Sequence, residues 1–574
     1  MGDRFDTSDA AWPVRPWIMA AICAVAGLIL DLLVDFSTSA AVHPLRQAGA
    51  AFVAVAAVSF IMVVEQRRWL WALGFALGWG LVVALVGWFT AGYNQHHEIF
   101  EFPFLSAVFA VLLAAPLFQT VRDEGAWRFP YARLHGHAWT DAVIGAASLA
   151  FVGVTFLLAW LIAGLFDLIG IDVVKKLLRE EWFGWMLAGF AFGASAGLLR
   201  ERDALVGTLQ RLVMVVLSVL APVLAVALAL FLFSVPFTGL DKLWDSSIPA
   251  TPMMLLAGAG AILLANAVIG NGADERSASR VLRGSAMTLV LCVLPLAIIA
   301  ALSLGQRIGQ HGWTPERMWG VVAVVVALTY GLAGWWVVAR GRGAFDERLR
   351  PMQTRLALGL CGLALLLALP IIDFGAISAR SQVARLAAGR TPPGAFDWQA
   401  MAFDFGPAGR RQLEQIVRRG PESQRKLAAA ALASRNRYEV ESDVAKSASL
   451  ANLDRYLRVV PEGALVPPGL RNAIGGSPFC RTDPCVLMVI DGRNAIIAGR
   501  WRGEGALQSQ RLGPGDNGEW AEIVGAPVPI VSPPADGSGT LVRGRSDLAT
   551  APVELRTVER RQLYIDGKPV GEAF

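Results

Sequence analysis

Ala142-Val-Ile-Gly-Ala-Ala-Ser-Leu-Ala-Phe-Val-Gly-Val-Thr-Phe-Leu-Leu-Ala-Trp-Leu-Ile-Ala-Gly-Leu-Phe-Asp-Leu168 carries no charged side chain between Asp141 and Asp167. At 1.5 Å of rise per residue, about 20 such residues cross the ~30 Å hydrocarbon core of a bilayer. Lipid offers no hydrogen bonds, so a crossing segment must pair its own backbone groups, which a single segment does as a helix. Ten further stretches have this character: 16–36, 47–64, 69–91, 102–120, 182–199, 212–236, 251–271, 284–305, 318–339 and 356–373. Trp17, Trp69, Trp71, Trp88, Trp182 and Trp185 stand near their ends, as interface belts require. The expected fold is an all-α polytopic membrane bundle of about eleven transmembrane helices with a C-terminal soluble α+β tail.

Composition agrees. The 574 residues are 55% hydrophobic and 17% charged, against roughly a quarter charged in a soluble domain. The pI near 9.1 reflects basic loops rather than a nucleic-acid surface, because no Lys/Arg stripe interleaves with aromatics on a soluble stretch. Pro16 to Leu30 lacks a small-residue cleavage site and reads as an uncleaved first span.

With the N-terminus placed inside, the inner segments hold eighteen Lys and Arg residues and the outer loops seven. That asymmetry predicts a cytoplasmic N-terminus, and the odd span count sends the tail out. Ile171 to Phe183, alternating Val174, Leu177, Leu178 and Trp182 with Lys175, Lys176 and Arg179, reads as a short amphipathic helix on the outer surface.

The chain divides into a transmembrane helical domain (1–374), a helical juxtamembrane segment (375–460) and a small β-rich extracytoplasmic domain (461–574). Ile377–Arg390, Pro407–Arg419 and Glu422–Arg435 read as helices; Val486–Ile490, Ala495–Ala498, Ala521–Val524 and Gln562–Ile565 read as strands between Asp-Gly and Asn-Gly turns. Cys480 and Cys485 flank a turn-forming Thr-Asp-Pro and suit a disulfide in an oxidising periplasm. Two reduced thiols or half a zinc site are the alternatives, although the tail after Phe374 has no His and no other Cys.

Tyr131-Ala-Arg-Leu-His-Gly-His-Ala-Trp-Thr-Asp141, Leu165-Phe-Asp-Leu-Ile-Gly-Ile171, Ile248-Pro-Ala-Thr-Pro-Met-Met254, Ile377-Ser-Ala-Arg-Ser-Gln-Val-Ala-Arg-Leu386 and Phe396-Asp-Trp with Phe403-Asp-Phe-Gly406 resemble the bacterial integral-membrane family known as domain of unknown function 4153. The resemblance covers most of residues 1–420 and implies a bacterial inner-membrane protein. The family carries no established activity, so it assigns no role to any residue.

Ionisable residues inside spans are functional candidates, because an unpaired charge there is costly. Asp31 and Asp35 lie one turn apart, Asp167 closes the fifth span and Asp373 the eleventh. All four fall on the outer side and would form an acidic, cation-attracting vestibule, or else mark hydrated helix ends. Tyr93-Asn-Gln-His-His-Glu-Ile-Phe-Glu101 offers His96, His97, Glu98 and Glu101 as metal ligands, with a solvated loop as the bland alternative. His135 and His137 read as interface histidines beside Trp139. Thr251 reads as the cap of the eighth span with Pro252 in its first turn. Asn266 is expected to bond a neighbouring helix, and Ala257-Gly-Ala-Gly-Ala261 to serve close packing.

No nucleophile elbow, P-loop, dinucleotide fingerprint or kinase signature is present in the sequence, so neither enzymatic activity nor a cofactor is implied. Two functions stay open. One is a transporter or channel-like protein; the alternative is a non-enzymatic envelope protein whose periplasmic tail binds a protein partner. Membrane lipids are the implied surroundings, nucleic acid is not a partner, and neither substrate nor oligomeric state can be read.

Overall fold

The computed structural model describes residues 12–34, 43–91, 101–239, 249–272, 277, 279–434, 437, 439–440, 450, 453–477, 479–480, 484–500, 507–515, 518–523, 563–565 and 568–570. Among them, eleven helices are long and apolar enough to cross a membrane. They are α1 (Arg15–Leu33), α2 (Pro44–Val63), α3 (Trp69–Ala91), α4 (Glu101–Glu124), α5 (Tyr131–Leu168), α7 (Glu181–Arg200), α8 (Asp203–Thr238), α9 (Ala250–Ile269), α10 (Arg280–His311), α11 (Pro315–Gly341) and α12 (Phe345–Ala368). Every expected span is present. The chain is a multi-pass membrane protein.

Three helices begin well before their apolar windows, at Tyr131, Asp203 and Phe345. Their charged first turns dilute the hydropathy signal but break no backbone hydrogen bond, so the helix runs through them. Short α6 (Val173–Arg179) is the expected amphipathic helix, with no residue buried. Pro249, not Thr251, stands at the N-cap of α9. Thr251 sits inside the first turn, because the helix starts directly after Pro249.

The first of two compact units comprises Met1–Ala388 and Phe403–Gln412. Its tightest helix pair is α1 with α7, and glycine is the reason. A Cβ at Gly189 would stand 2.1 Å from the Cys23 carbonyl oxygen, one at Gly193 2.3 Å from that of Met19, and one at Gly27 2.3 Å from that of Trp185. Gly189, Gly193 and Gly197 recur every fourth residue and form one bare stripe along α7. Lipid tails are as apolar as leucine, so helices in a bilayer gain mainly by close van der Waals approach, which small residues permit. The Ala257–Ala261 run is not comparably tight: nothing lies within 4 Å of a Cβ on Gly258.

Arginines tie the helix ends together. The last carbonyls of any α-helix lack intrahelical donors, and a guanidinium offers five N–H groups with a charge suited to the negative end of the helix. At the end of α2, four successive carbonyls are satisfied by side chains from three other helices. Arg200 of α7 donates to Ile61 and Met62, and Gln119 of α4 donates to Met62 at 3.0 Å. Arg122 of α4 donates to Val63 at 2.7 Å, and Arg15 of α1 to Val64 at 2.8 Å. Glu65 and Asp123 neutralise Arg122, and Glu201 faces Arg15. The device recurs at the end of α9, where Arg350 of α12 reaches Ile269 and Gly272 at 2.9 and 3.0 Å beside Asp346. It recurs again at α10, where Arg385 and Gln382 of α13 (Phe374–Ala387) bind the carbonyls of Gly309, Gln310 and His311.

The second unit comprises Gly389–Ala402 and Leu413–Phe574. It carries a five-stranded sheet in the order β1 (Leu457–Val460), β2 (Cys485–Asp491), β3 (Asn494–Arg500), β4 (Leu507–Pro514), β5 (Trp520–Glu522). β1 runs parallel to β2 and the remaining pairs are antiparallel. Ala495 and Ile497 point into a core with Leu453, Leu470, Ile474 and Leu512. The β1 and β4 strands escape sequence reading: β1 is four residues long, and β4 (Leu-Gln-Ser-Gln-Arg-Leu-Gly-Pro) is mostly polar and takes its register from β3. Helices α14 (Trp398–Phe403), α16 (Glu422–Ala433) and α17 (Pro468–Gly476) and a β6–β7 ladder (Leu563–Ile565, Lys568–Val570) are also described, as is α15 (Gly406–Arg419), whose residues fall in both units.

Two outcomes follow. Gly193→Leu drives a side chain into the backbone of α1 and will lower the thermal midpoint of the detergent-solubilised protein, while Gly153→Ala, which meets nothing within 4 Å, will leave it unchanged. Arg200→Gln removes charged donors from the α2 terminus, each worth about 1.5–3 kcal/mol. A clear loss of midpoint is expected, and an unaltered one would remove the terminal cap from the account of stability.

Candidate functional site

The four helices that meet at the α2 terminus, together with α5, line a half-open cavity of about 730 Å³. That volume lies inside the ~300–1,000 Å³ range of small-molecule sites. Its origin is geometric. Glycines 27 and 189 hold α1 against α7, while α5 stands off on the other side and presents Ala142, Gly145, Leu149 and Val152 across the gap. The wall is nearly all aliphatic, with Trp185, Phe192 and Pro116 adding larger apolar surface.

Among the described residues, one carboxylate lines it, that of Asp141. Asp141 is the eleventh residue of α5, about 15 Å along the helix from its start. Gln119 Nε2 donates to both carboxylate oxygens at 2.9 and 3.2 Å while also holding the Met62 carbonyl. Among the described residues, no Lys or Arg forms an ion pair with Asp141. The nearby Arg122 guanidinium is committed to the Val63 carbonyl, Glu65 and Asp123, and that of Arg200 to the carbonyls of Ile61 and Met62. Arg200 and Arg122 lie near enough to stabilise the Asp141 charge without pairing with it directly. The carboxylate is thus partly compensated, and its place in an apolar wall suits a hydrogen-bond donor or a cation brought by a ligand.

Sequence reading passed over Asp141. It closes the stretch Tyr131–Asp141, in which His135 and His137 drew the attention. Those histidines have local partners: Tyr131 Oη lies 2.8 Å from His135 Nδ1, Trp139 packs on the His135 ring, and His137 Nε2 lies 2.9 Å from Asp123. The signal that could have singled out Asp141 is its place inside a continuous helix, with apolar residues beginning immediately after it.

The other candidates have separate surroundings. Asp31 is half-buried near the end of α1 and lines neither this cavity nor the smaller cleft that Asp373 borders. Asp167 pairs with Lys175 at 2.7 Å, and Asp373 caps α13 by accepting from the Ala376 N–H at 2.8 Å. Asp35, His96, His97 and Glu98 lie outside the described residues, and Glu101 is described only as the first residue of α4. No metal-binding group of three or more His, Cys, Asp or Glu occurs among the described residues. Gln353 donates to Asn266, joining α12 to α9 as expected of a polar residue at that depth. Cys480 and Cys485 are disulfide-bonded, with 5.2 Å between their Cα atoms and Cys480 in the left-handed backbone region at φ 62°.

No curated protein and no solved structure matches the chain. Residues 50–414 match the family model described as Domain of unknown function (DUF4153), a span that takes in most of the cavity wall, Gln119 and Asp141. The chain belongs to that family.

Proposed function

We propose that this protein is a transporter whose cargo is an amphipathic molecule, with an apolar chain lying in the five-helix cavity and a donor-bearing or cationic head against Asp141. The observation that carries this reading is the cavity itself, nearly all apolar, with a single carboxylate among its described lining residues. An apolar wall extracts a chain from lipid at little cost, and a carboxylate held by one amide selects the head by charge and hydrogen bonding. On this reading Asp31, Asp167 and Asp373 serve as water-facing ends rather than as the pathway.

The reading sets the protein in a bacterial inner membrane with a cytoplasmic N-terminus and a periplasmic tail. Loop charge supports that orientation, as does the disulfide, whose pairing an oxidising compartment favours. The tail sheet would then face the periplasm, where it is available to a protein partner. Alkaline phosphatase fused after Phe574 is expected to be active and a fluorescent protein fused before Met1 to be bright; the opposite pair of results would reverse the orientation.

Ligand class is tested with spin-labelled alkyl amine, alcohol and sulfate probes of equal chain length on the full chain in nanodiscs. The amine should bind at least tenfold more tightly than the sulfate. Asp141→Asn should abolish that preference, and Gly145→Phe, which fills open space in the wall, should exclude all three probes. Equal binding of amine and sulfate by the native chain would refute the role of Asp141. Probes that bind without being moved across proteoliposomes would reduce the transporter to a binding protein.

A further inference from the structure

At the far end of the same unit from the arginine-capped α2 terminus, the ends of α3 and α12 and the starts of α4, α11 and α13 surround a second, smaller cleft of about 130 Å³. It is too small for a drug-sized ligand. We propose that it is a binding site for a small organic ammonium cation, either free or as the head of a lipid.

The wall has the chemistry for it. Phe89, Trp319 and Phe374 contribute aromatic surface, and Asp373 contributes a carboxylate. Rings attract a cation through the negative face of their π-system, and an alkylated ammonium loses less on dehydration than a bare metal ion does. The Trp319 indole is fixed between neighbours, stacked on Phe102 at 5.4 Å and edge-on to Phe374 at 5.1 Å between centroids. It is therefore held in place before a ligand arrives. One Asp373 oxygen accepts from the Ala376 N–H, and the side chain is exposed, so the carboxylate still faces water and ligand.

The positive ends of α4, α11 and α13 also border the cleft, and Asp373 offsets that charge where it caps α13. Among the described residues no Lys or Arg lines the cleft, and Pro103, Pro315 and Pro370 in its wall have no backbone N–H to donate. This site is distinct from the Asp141 cavity and does not depend on what that cavity carries.

The test uses the full chain in nanodiscs of phosphatidylglycerol, with tetramethylammonium as the probe and potassium as the control ion. Saturable tetramethylammonium binding at least tenfold tighter than that of potassium is expected. Asp373→Asn keeps an N-cap acceptor and should weaken binding tenfold or more with the thermal midpoint unchanged. Trp319→Phe should cost a few-fold and Trp319→Leu tenfold or more, the order a ring-face attraction produces. Absence of saturable binding, or binding unchanged in Trp319→Leu and Asp373→Asn, would overturn the site. Repeating the titration in phosphatidylcholine discs distinguishes the sources: competition by the lipid head supports a lipid ligand, and undiminished binding supports a free cation.

Discussion

Guanidinium groups bound to helix-terminal carbonyls are the interaction on which the helical unit depends. A transmembrane helix satisfies its interior backbone by itself, but its last carbonyls face a region too dry to leave them bare. Here Arg15, Arg122 and Arg200, with Gln119, take up four successive carbonyls at the end of α2. The donors come from α1, α4 and α7. One helix end therefore sets the relative height of four helices, and mutual charge repulsion is relieved by Glu65, Asp123 and Glu201. Side-chain packing between smooth apolar helices specifies lateral distance well and axial position poorly. The arginine contacts supply the axial position.

The large cavity is a consequence of that arrangement. Gln119 belongs to both, bonding the Met62 carbonyl and the Asp141 carboxylate. The amide thus connects the structural cap to the carboxylate in the cavity wall. The glycine contact between α1 and α7 works in the same direction, because two helices in backbone contact cannot also fill the space that α5 faces.

Most of the helical unit was legible from composition, since a bilayer imposes one length and one hydropathy on every span. The starts of α5, α8 and α12 were not, because charged first turns look like loop to a hydropathy window. Neither was the Gly189–Gly193–Gly197 stripe understood as the contact face of α7, for glycine in a weak span reads equally as a flaw in it. Asp141 was hidden for a related reason. A carboxylate next to a span is usually a hydrated helix end, and only the convergence of α1, α2, α4 and α7 around it makes it part of a cavity wall. In the tail, a continuous apolar run marked β2 and alternating burial suits β3, but β4 went unmarked, because its polar side chains take their places from backbone pairing.

The glycine stripe also bears on how the chain is made. α7 and α12 are the least hydrophobic of the eleven spans, with mean hydropathy 1.4 against 2.1 for α1. The same glycines that let α7 touch α1 strip it of the side chains that would hold it in lipid alone. A ribosome delivers α1 well over a hundred residues before α7. The first span must therefore wait in the bilayer for its mate, and the sixth, α7, acquires a secure place in the membrane when the two meet.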